Sequence, residues 1–249
     1  MNIYVISLSE SSRRKIILER AASAGVTIQF IDAVNGDSLT TAEIETIYDK
    51  EQCFQKHRRG LTRNEIACFL SHIKVWEIIA LSNSPSIILE DDAILAPNFK
   101  EAIESLDSPH EISDIVLLGH SKLDQEHEWY HYFKNPISNK IKHGKFAIGS
   151  VDKLWTSGMV GYWLTPRAAK IMLSENRTIN TVSDNWKHHS KNLSIKEIRP
   201  YIIREDFKNL ASSLEPERRA LSTYKRRHYL EPLRVTMALY RNLKSLLNP

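Results

Sequence analysis

The sequence of 249 residues contains only two cysteines, Cys53 and Cys68. Two cysteines cannot build a disulfide framework, and neither lies in a CxxC pair, so zinc binding through paired thiolates is not expected. Low cysteine content is typical of proteins from a reducing compartment. The N-terminus enters an apolar segment directly and has no basic region of the kind that opens a signal peptide. These absences predict a cytoplasmic protein.

Long apolar runs and glycine-rich segments are lacking as well. No stretch approaches the roughly 20 apolar residues that are needed to span a bilayer. The 8 glycines form no phosphate-binding loop. Hydrophobic residues make up 42% of the chain and charged residues 26%, which is ordinary for a globular protein.

Positive charge is confined to the C-terminus. Residues 217–249 carry a net charge of +6, whereas residues 1–216 carry a net charge of −2. Because the basic residues are terminal and not spread over the fold, the sequence argues against a nucleic-acid-binding protein. We therefore divide the chain into a globular domain over residues 1–216 and a basic tail over residues 217–249, in which apolar and basic residues are interleaved.

Strand-like and helix-like segments alternate along the globular domain, which predicts an α/β fold with a mostly parallel sheet flanked by helices. Residues 120–150 are predicted to form loops and short strands. The predicted strands cover residues 2–8, 26–31, 86–89, 114–118 and 160–164, and the predicted helices cover residues 11–24, 40–48, 62–81 and 166–173.

Three carboxylates follow one of these strands without a polar spacer. Residues 86–92 have the sequence SIILEDD, which places Glu90, Asp91 and Asp92 at the carboxyl end of a strand, where open α/β sheets bind ligands. Adjacent acids repel one another unless a cation compensates them. Such oxygen ligands suit Mg²⁺ or Mn²⁺, and that cation suits a diphosphate substrate. A solvated acidic turn is the alternative interpretation.

The predicted helix over residues 62–81 begins with a capping box. Glu65 and His72 share one face of this helix with two aromatic residues. Spacing alone favours the interpretation of both as hydrogen-bonded core residues. We interpret Cys68 as a small buried residue and not as a nucleophile.

Seven short sequence blocks occur in one order along the chain. They are YVISL at 4–8, DAVNG at 32–36, NEIACFLSH at 64–72, IILEDD at 87–92, VLLG at 116–119, GYWL at 161–164 and VSD at 182–184. Together these blocks resemble glycosyltransferase family 25, the lipooligosaccharide galactosyltransferases of Gram-negative bacteria, whose relatives include collagen galactosyltransferases. The resemblance covers about residues 1–215 and leaves out the basic tail.

This resemblance implies a GT-A fold, in which a Rossmann-like sheet binds a nucleotide sugar. Residues 1–120 would then form about the donor half and residues 121–216 the acceptor half. The resemblance also implies that Asp91 and Asp92 hold Mn²⁺ or Mg²⁺. The donor-binding residues that it implies are Ser7, Arg13, Asp32, Glu65, His72 and Glu90.

The family is inverting, so the resemblance also implies a carboxylate general base, for which Asp184 is the candidate. Capping of a helix that begins at Asn185 is the alternative role for Asp184. Similarly, helix capping is an alternative role for Glu65, and a solvated helix face is the alternative for Arg13. Two positions depart from the family pattern. Asn64 replaces a glycine, and TVSD at 181–184 replaces a Pro-Val-Asp motif, which shifts the alignment at Asp184 by one residue.

The resemblance implies transfer of a hexose, galactose from UDP-galactose, onto a core sugar of a lipooligosaccharide or lipopolysaccharide. The expected partners are a UDP-sugar donor and a lipid-linked oligosaccharide acceptor. A metal-dependent phosphohydrolase or nucleotidyltransferase, and an inactive nucleotide-sugar-binding module, stay open as alternatives.

The basic tail is amphipathic, and Pro232 is expected to divide it into two short helices. A segment of this kind can bind the anionic surface of the inner membrane peripherally. Packing of its apolar residues onto the globular domain is the alternative.

Overall fold

An eight-stranded sheet forms the centre of the computed structural model, which describes residues 1–106, 112–152, 158–210 and 231–247. In spatial order the strands are β2 (Gln29–Asp32), β1 (Asn2–Ser7), β3 (Ser86–Glu90), β9 (Gly161–Leu164), β5 (Ile115–Leu117), β10 (Ile195–Arg199), β8 (Phe146–Val151) and β7 (Ile137–His143). A smaller sheet has the order β4 (Ala93–Leu95), β11 (Ile203–Glu205) and β6 (Gly119–His120).

Helices connect the strands and cover the main sheet. In the described residues they are α1 (Arg13–Ser23), α2 (Thr41–Ile47), α3 (Lys50–His57), α4 (Arg63–Ala80), α5 (Phe99–Ser105), α6 (Glu128–Lys134), α7 (Pro166–Glu175), α8 (Trp186–His189) and α9 (Glu231–Leu247).

Six of the eight strands in the main sheet point in the same direction, and only β8 and β9 are reversed. The predicted α/β class with a mostly parallel sheet flanked by helices is therefore confirmed. β9 runs antiparallel between β3 and β5. The start of β9 consequently lies at the edge of the sheet where β3 and β5 end.

The sheet is buried on both faces because its central strands are apolar at successive positions. Along β1, Val5 faces a core that includes Phe99 of α5, and Ile6 faces a core that includes Phe69 of α4. All four side chains are buried. Burial on both faces explains the continuous apolar runs that identified these strands in the sequence.

The predicted boundaries of several helices are also confirmed. Thr62 and Glu65 form the capping box of α4, and Pro166 stands in the first turn of α7. α1 is followed by Gly25, whose φ of +68° is left-handed and favours glycine.

Two regions differ from the prediction. The polar stretch between the predicted helices at 40–48 and 62–81, for which no element was predicted, contains α3, whose N-cap is Asp49. Residues 120–150 contain α6 in addition to the β7–β8 hairpin, whose turn includes Gly144 with a φ of +57°. The prediction also lacked β10 and β11, because the polar residues within them interrupt the apolar pattern.

α9 is a single helix, with Pro232 in its first turn, where the missing N–H is not needed. The other of the two predicted helices of the tail would fall in residues 217–230, which lie outside the described residues. α9 packs on α6, where Asn242 Nδ2 donates to the Phe133 carbonyl over 2.7 Å and Arg241 donates to the Lys134 carbonyl over 2.5 Å. None of the helices in the described residues is long and apolar enough to cross a membrane.

Candidate active site

The acidic motif lies where two parallel strands end at the same edge of the sheet. β3 ends at Glu90, which pairs with Ile6 of β1, so that Ser7 stands beside Asp91. Asp91 and Asp92 form the turn that leads from β3 into β4. The predicted position of the three carboxylates at a strand end is therefore confirmed.

Asp91 is held by three donors. Its Oδ2 accepts from Ser7 Oγ over 2.7 Å and from Ser11 Oγ over 3.2 Å, and its Oδ1 accepts from Arg13 Nη1 over 3.1 Å. Arg13 thus turns inward from the first turn of α1, so the alternative of a solvated helix face is wrong for this residue. These contacts fix the Asp91 carboxylate at the sheet edge.

Asp92 is buried and only partly compensated. Arg13 Nη1 lies 3.7 Å from its Oδ2, while its Oδ1 has no hydrogen-bond partner among the described residues. Burial, followed by the charges of Glu90, Glu205 and Asp91, raises the pKa of Asp92 to about 8, against the opposing effect of Arg13. A buried carboxylate oxygen that accepts no hydrogen bond can instead coordinate a hard divalent cation. These residues therefore fit Mg²⁺ or Mn²⁺.

His72 stands on α4 opposite the acidic motif. Its Nε2 lies 3.7 Å from Glu90 Oε1, and its Nδ1 is 2.9 Å from the Tyr162 hydroxyl, which also accepts from Trp76 Nε1 over 2.8 Å. Burial lowers the pKa of His72 to about 3, so the imidazole is neutral at physiological pH. His72 is therefore a hydrogen-bonded core residue that also lines the site.

A cavity of about 440 Å³ lies in front of the acidic motif. It is walled by the ends of β1 and β3, by the loop after β2 and by α4. Its lining contains six of the predicted site residues, namely Ser7, Arg13, His72, Glu90, Asp91 and Asp92, together with Ser11, Asn35, Gly36, Asp37, Asn64, Cys68 and neighbouring apolar residues.

Asn64, one of the departures from the family pattern, lies against Gly36. A Cβ on Gly36 would lie 2.2 Å from Asn64 Oδ1, so the loop after β2 approaches α4 closely only because residue 36 is a glycine. The side chain of Asn64 thus occupies space that a glycine at position 64 would leave empty. Both residues line the cavity.

Two of the predicted donor-binding residues are not among the described residues that line this cavity. Asp32 ends β2 with an exposed side chain and pairs with Arg14. Glu65 is buried, closes the capping box of α4 and accepts from Arg59 over 2.6 and 2.7 Å. Its two oxygens are thereby used within the protein. Donor contact by Asp32 and Glu65 stays a prediction.

Asp184, the predicted base, is half-buried at the same sheet edge as the acidic motif. Its Oδ2 accepts from the Gly158 amide over 3.1 Å, and two residues later the Val160 carbonyl accepts from the Glu90 amide over 3.1 Å. The N-cap of α8 is Asn185, whose side chain accepts from the His188 amide. The alternative of Asp184 as the side-chain cap of this helix is therefore wrong.

Glu205 is a buried acid that the sequence analysis missed. It ends β11 opposite Ala93 of β4, and its side chain accepts from the Lys122 amide over 2.9 Å. Its charge contributes to the raised pKa of Asp92. An available signal was the short apolar run at 201–203, which leads to Glu205 and Asp206 as the run at 86–89 leads to Glu90.

The comparisons with known proteins identify a family for this chain. A family model described as glycosyltransferase family 25 (LPS biosynthesis protein) matches residues 1–186, about three quarters of the chain. The chain therefore belongs to glycosyltransferase family 25, and the predicted family is confirmed.

Individual relatives differ in length and in what their names state. A Haemophilus influenzae protein with a provisional glycosyltransferase name is 29% identical over 214 residues, which cover 82% of this chain and 70% of that protein. The mouse protein named inactive glycosyltransferase 25 family member 3 is 29% identical over 135 residues, or 51% of this chain and 23% of that protein. The chain thus spans less than a quarter of this animal relative.

A solved structure of the galactosyltransferase LgtC with donor and acceptor sugar analogues is also similar. It has 11% sequence identity and a TM-score of 0.39, and the match covers 79% of this chain and 73% of that chain. This likeness is too slight to support a conclusion about donor or acceptor.

Proposed function

We propose that this protein is an inverting glycosyltransferase that moves a hexose, galactose from UDP-galactose, onto a core sugar of a lipooligosaccharide or lipopolysaccharide. The observation that carries the proposal is the only partly compensated Asp92 carboxyl group, which is buried beside Asp91 at the edge of a cavity large enough for part of a nucleotide sugar. Such a position is the ligand-binding edge of an α/β sheet.

Asp91 and Asp92 are the residues that would hold Mn²⁺ or Mg²⁺ in this proposal. A cation there would neutralise the charge that develops on the departing nucleoside diphosphate. Arg13, which lies within 3.1 Å of Asp91 and 3.7 Å of Asp92, adds a fixed positive charge on the same side. Phosphate oxygens are the expected partners for such a guanidinium group.

Asp184 is proposed to accept the proton of the acceptor hydroxyl as that hydroxyl attacks the anomeric carbon. The Gly158 amide that donates to Oδ2 fixes the orientation of the carboxylate. Gly158 has a φ of +76°, and a Cβ there would lie 1.7 Å from Ser121 Oγ, so a glycine is required at this position. The backbone N–H of Gly158, which orients the proposed base, is therefore provided by the fold itself.

Peripheral membrane attachment through the basic tail belongs to the same proposal. Seven large apolar side chains of α9 are half or more exposed, namely Leu233, Met237, Leu239, Tyr240, Leu243, Leu246 and Leu247. The alternative expectation, that the apolar residues of the tail pack onto the globular domain, is wrong for these seven. An apolar helix face next to basic residues suits an anionic leaflet that carries a lipid-linked acceptor.

A donor screen tests the function. Purified protein is incubated with several UDP-sugars and truncated core oligosaccharides, with and without Mn²⁺, and both nucleotide release and the glycosylated product are measured. The proposal expects UDP release from UDP-galactose that depends on Mn²⁺ and on the acceptor. Release of UMP and hexose 1-phosphate from the UDP-sugar would instead indicate the phosphohydrolase alternative. Release of pyrophosphate in a separate incubation with UTP and hexose 1-phosphate would indicate the nucleotidyltransferase alternative. Donor binding without turnover would indicate an inactive binding module, as the name of the mouse relative states for that protein.

A further inference from the structure

Three side chains of different chemistry meet on the wall of the cavity beside the acidic motif. Cys68 and His72 are separated by one turn of α4, and Glu90 ends β3 opposite them. One ligand atom from each residue, a sulfur, a ring nitrogen and a carboxylate oxygen, lies within 4.8 Å of the other two. All three residues line the cavity, so an ion can reach them from solvent.

We propose that Cys68, His72 and Glu90 form a second cation site, which takes a thiophilic divalent ion such as Zn²⁺. Thiolate and imidazole ligands favour Zn²⁺ over Mg²⁺ or Mn²⁺, whereas Asp91 and Asp92 offer only oxygen. The two sites therefore differ in the metal that they select. Nothing in this assignment depends on the sugar donor.

The distances suit zinc coordination. In a tetrahedral site with bonds of about 2.0–2.3 Å, neighbouring ligand atoms lie about 3.3–3.8 Å apart. His72 Nε2 and Glu90 Oε1 are 3.7 Å apart, which is too long for a hydrogen bond and matches two ligands of one ion. The Cys68 sulfur lies within 4.8 Å of a ligand atom of each of these two residues and 3.8 Å from Ser183 Oγ. A rotation about the Cα–Cβ bond of Cys68 would bring it into a coordinating position.

The surroundings of His72 favour a ligand role for Nε2. Its Nδ1 lies 2.9 Å from the Tyr162 hydroxyl, whose oxygen also accepts from Trp76 Nε1. A bound ion would select the tautomer in which Nδ1–H donates to Tyr162, because the Nε2 lone pair then faces Glu90. Zinc-binding histidines are commonly oriented by a hydrogen bond of this kind to the other ring nitrogen.

Three protein ligands leave the fourth position of a tetrahedral ion directed into the cavity. Water fills such a position in zinc sites that have three protein ligands. Coordination also removes the thiol proton of Cys68, which passes to the buffer. The bound state is then a thiolate, a neutral imidazole and a carboxylate around one ion.

Titration of the full-length protein with Co²⁺ tests the site, because a thiolate bound to Co²⁺ gives a charge-transfer absorption that oxygen ligands do not give. We expect this absorption to saturate at one Co²⁺ per chain and to disappear when one equivalent of Zn²⁺ is added. Cys68→Ser should abolish it, while Cys53→Ser, which changes the other cysteine of the chain, should keep it. Glu90→Gln should weaken Co²⁺ binding at least tenfold while the sulfur band remains.

The absence of a thiolate band in the wild-type protein at saturating Co²⁺ would overturn the proposal, as would its persistence in Cys68→Ser. Loss of the band in Asp92→Asn would place the ion at the acidic motif and refute a separate site. Circular dichroism of each variant verifies that the fold is retained. Because the readout is spectroscopic, a failure here is distinct from a failure of sugar transfer.

Discussion

The carboxyl group of Asp92 is buried, and burial disfavours its charged form. Its pKa is raised to about 8, so the folded protein binds this proton more tightly than the unfolded chain does. Protonation of Asp92 therefore stabilises the folded, metal-free protein. This stabilisation is complete below the ordinary pKa of an aspartate, and it is lost as the pH rises through the folded-state pKa of about 8. A cation that binds the carboxylate should reverse this loss. We therefore expect Mn²⁺ to raise the melting temperature more above pH ~8 than near pH ~5.

Asp92→Asn tests the same group directly. The neutral amide removes the charge that burial disfavours, so the metal-free variant should be more stable than the wild-type protein above pH ~8. It should also lose the Mn²⁺-dependent increase in melting temperature and most of the transfer activity. Asp124→Asn, which changes an aspartate paired with Lys208 outside the cavity lining, serves as the control. Full turnover by Asp92→Asn, or undiminished activity in excess EDTA, would contradict the metal-dependent mechanism.

Asp184 and Asn185 offer a matched pair of adjacent residues. Loss of a general base in Asp184→Asn should lower kcat by about 10²–10⁴-fold and leave the KM for the donor nearly unchanged. Asn185→Ala removes the side-chain cap of α8 and should cost about 1 kcal/mol of stability with turnover kept. Initial rates and thermal unfolding of both variants give the comparison. If Asp184→Asn retains wild-type kcat, the base must be another residue.

At the scale of an element, the N-terminus of α4 depends on Glu65. This carboxylate accepts from the Thr62 amide over 3.0 Å as well as from Arg59, and it is almost completely buried. Glu65→Ala should therefore lower the free energy of unfolding by about 2–3 kcal/mol, since it removes the cap and leaves Arg59 unpaired. Glu43→Ala, in the exposed capping box of α2, should cost at most about 1 kcal/mol.

Denaturant unfolding of these two variants measures the difference, and the KM for the donor separates the two roles of Glu65. A structural role leaves the KM of the correctly folded fraction unchanged. A rise in KM without loss of stability would favour the donor-binding role that the family resemblance implies.

Elements also show where sequence patterns succeed. The strand at 86–90 and the helix at 63–80 were predictable because each carries its own signals, an apolar run in one and a capping box with an apolar face in the other. β10 and β11 carry weaker signals, since Lys196, Glu197 and Arg204 interrupt their apolar runs. These polar residues are accommodated by ion pairs, such as Glu197 with Arg199 and Arg204 with Glu128. The Arg204–Glu128 pair joins residues that are far apart in the chain, so it forms only after the chain has folded.

At the scale of the whole molecule, α9 places an apolar face in solvent. Full-length protein should sediment with anionic vesicles in a salt-sensitive manner and bind neutral vesicles much less, because charge attracts the tail and apolar contact retains it. Combined replacement of Leu239, Leu243 and Leu246 by serine should abolish this binding. Leu81→Ser, at another exposed leucine, should leave it unchanged. Equal sedimentation of the wild-type protein and the triple variant would refute membrane attachment through α9.

The sequence alone was sufficient for the α/β class, the family and the acidic motif. Each of these depends on residues that are close together in the chain, such as the run from Ile87 to Asp92. A short apolar run followed by acids can be recognised without knowing which distant residues it contacts. The family resemblance also named Ser7 and Arg13 as donor-binding residues, and both line the cavity. Local patterns could not distinguish whether Glu65 and Asp32 face a ligand or a partner in the protein.

Only the tertiary structure decided which distant residues meet. The pairing of β11 with β4 brings Glu205 to Asp92, and the reversed strand β9 brings the Gly158 amide and Asp184 to the same edge. Cys68 and His72 have helix spacing in the sequence, yet their proximity to Glu90 follows from the packing of α4 on the sheet. These contacts join residues that are far apart in the chain, and burial then changes their chemistry, which no local pattern encodes.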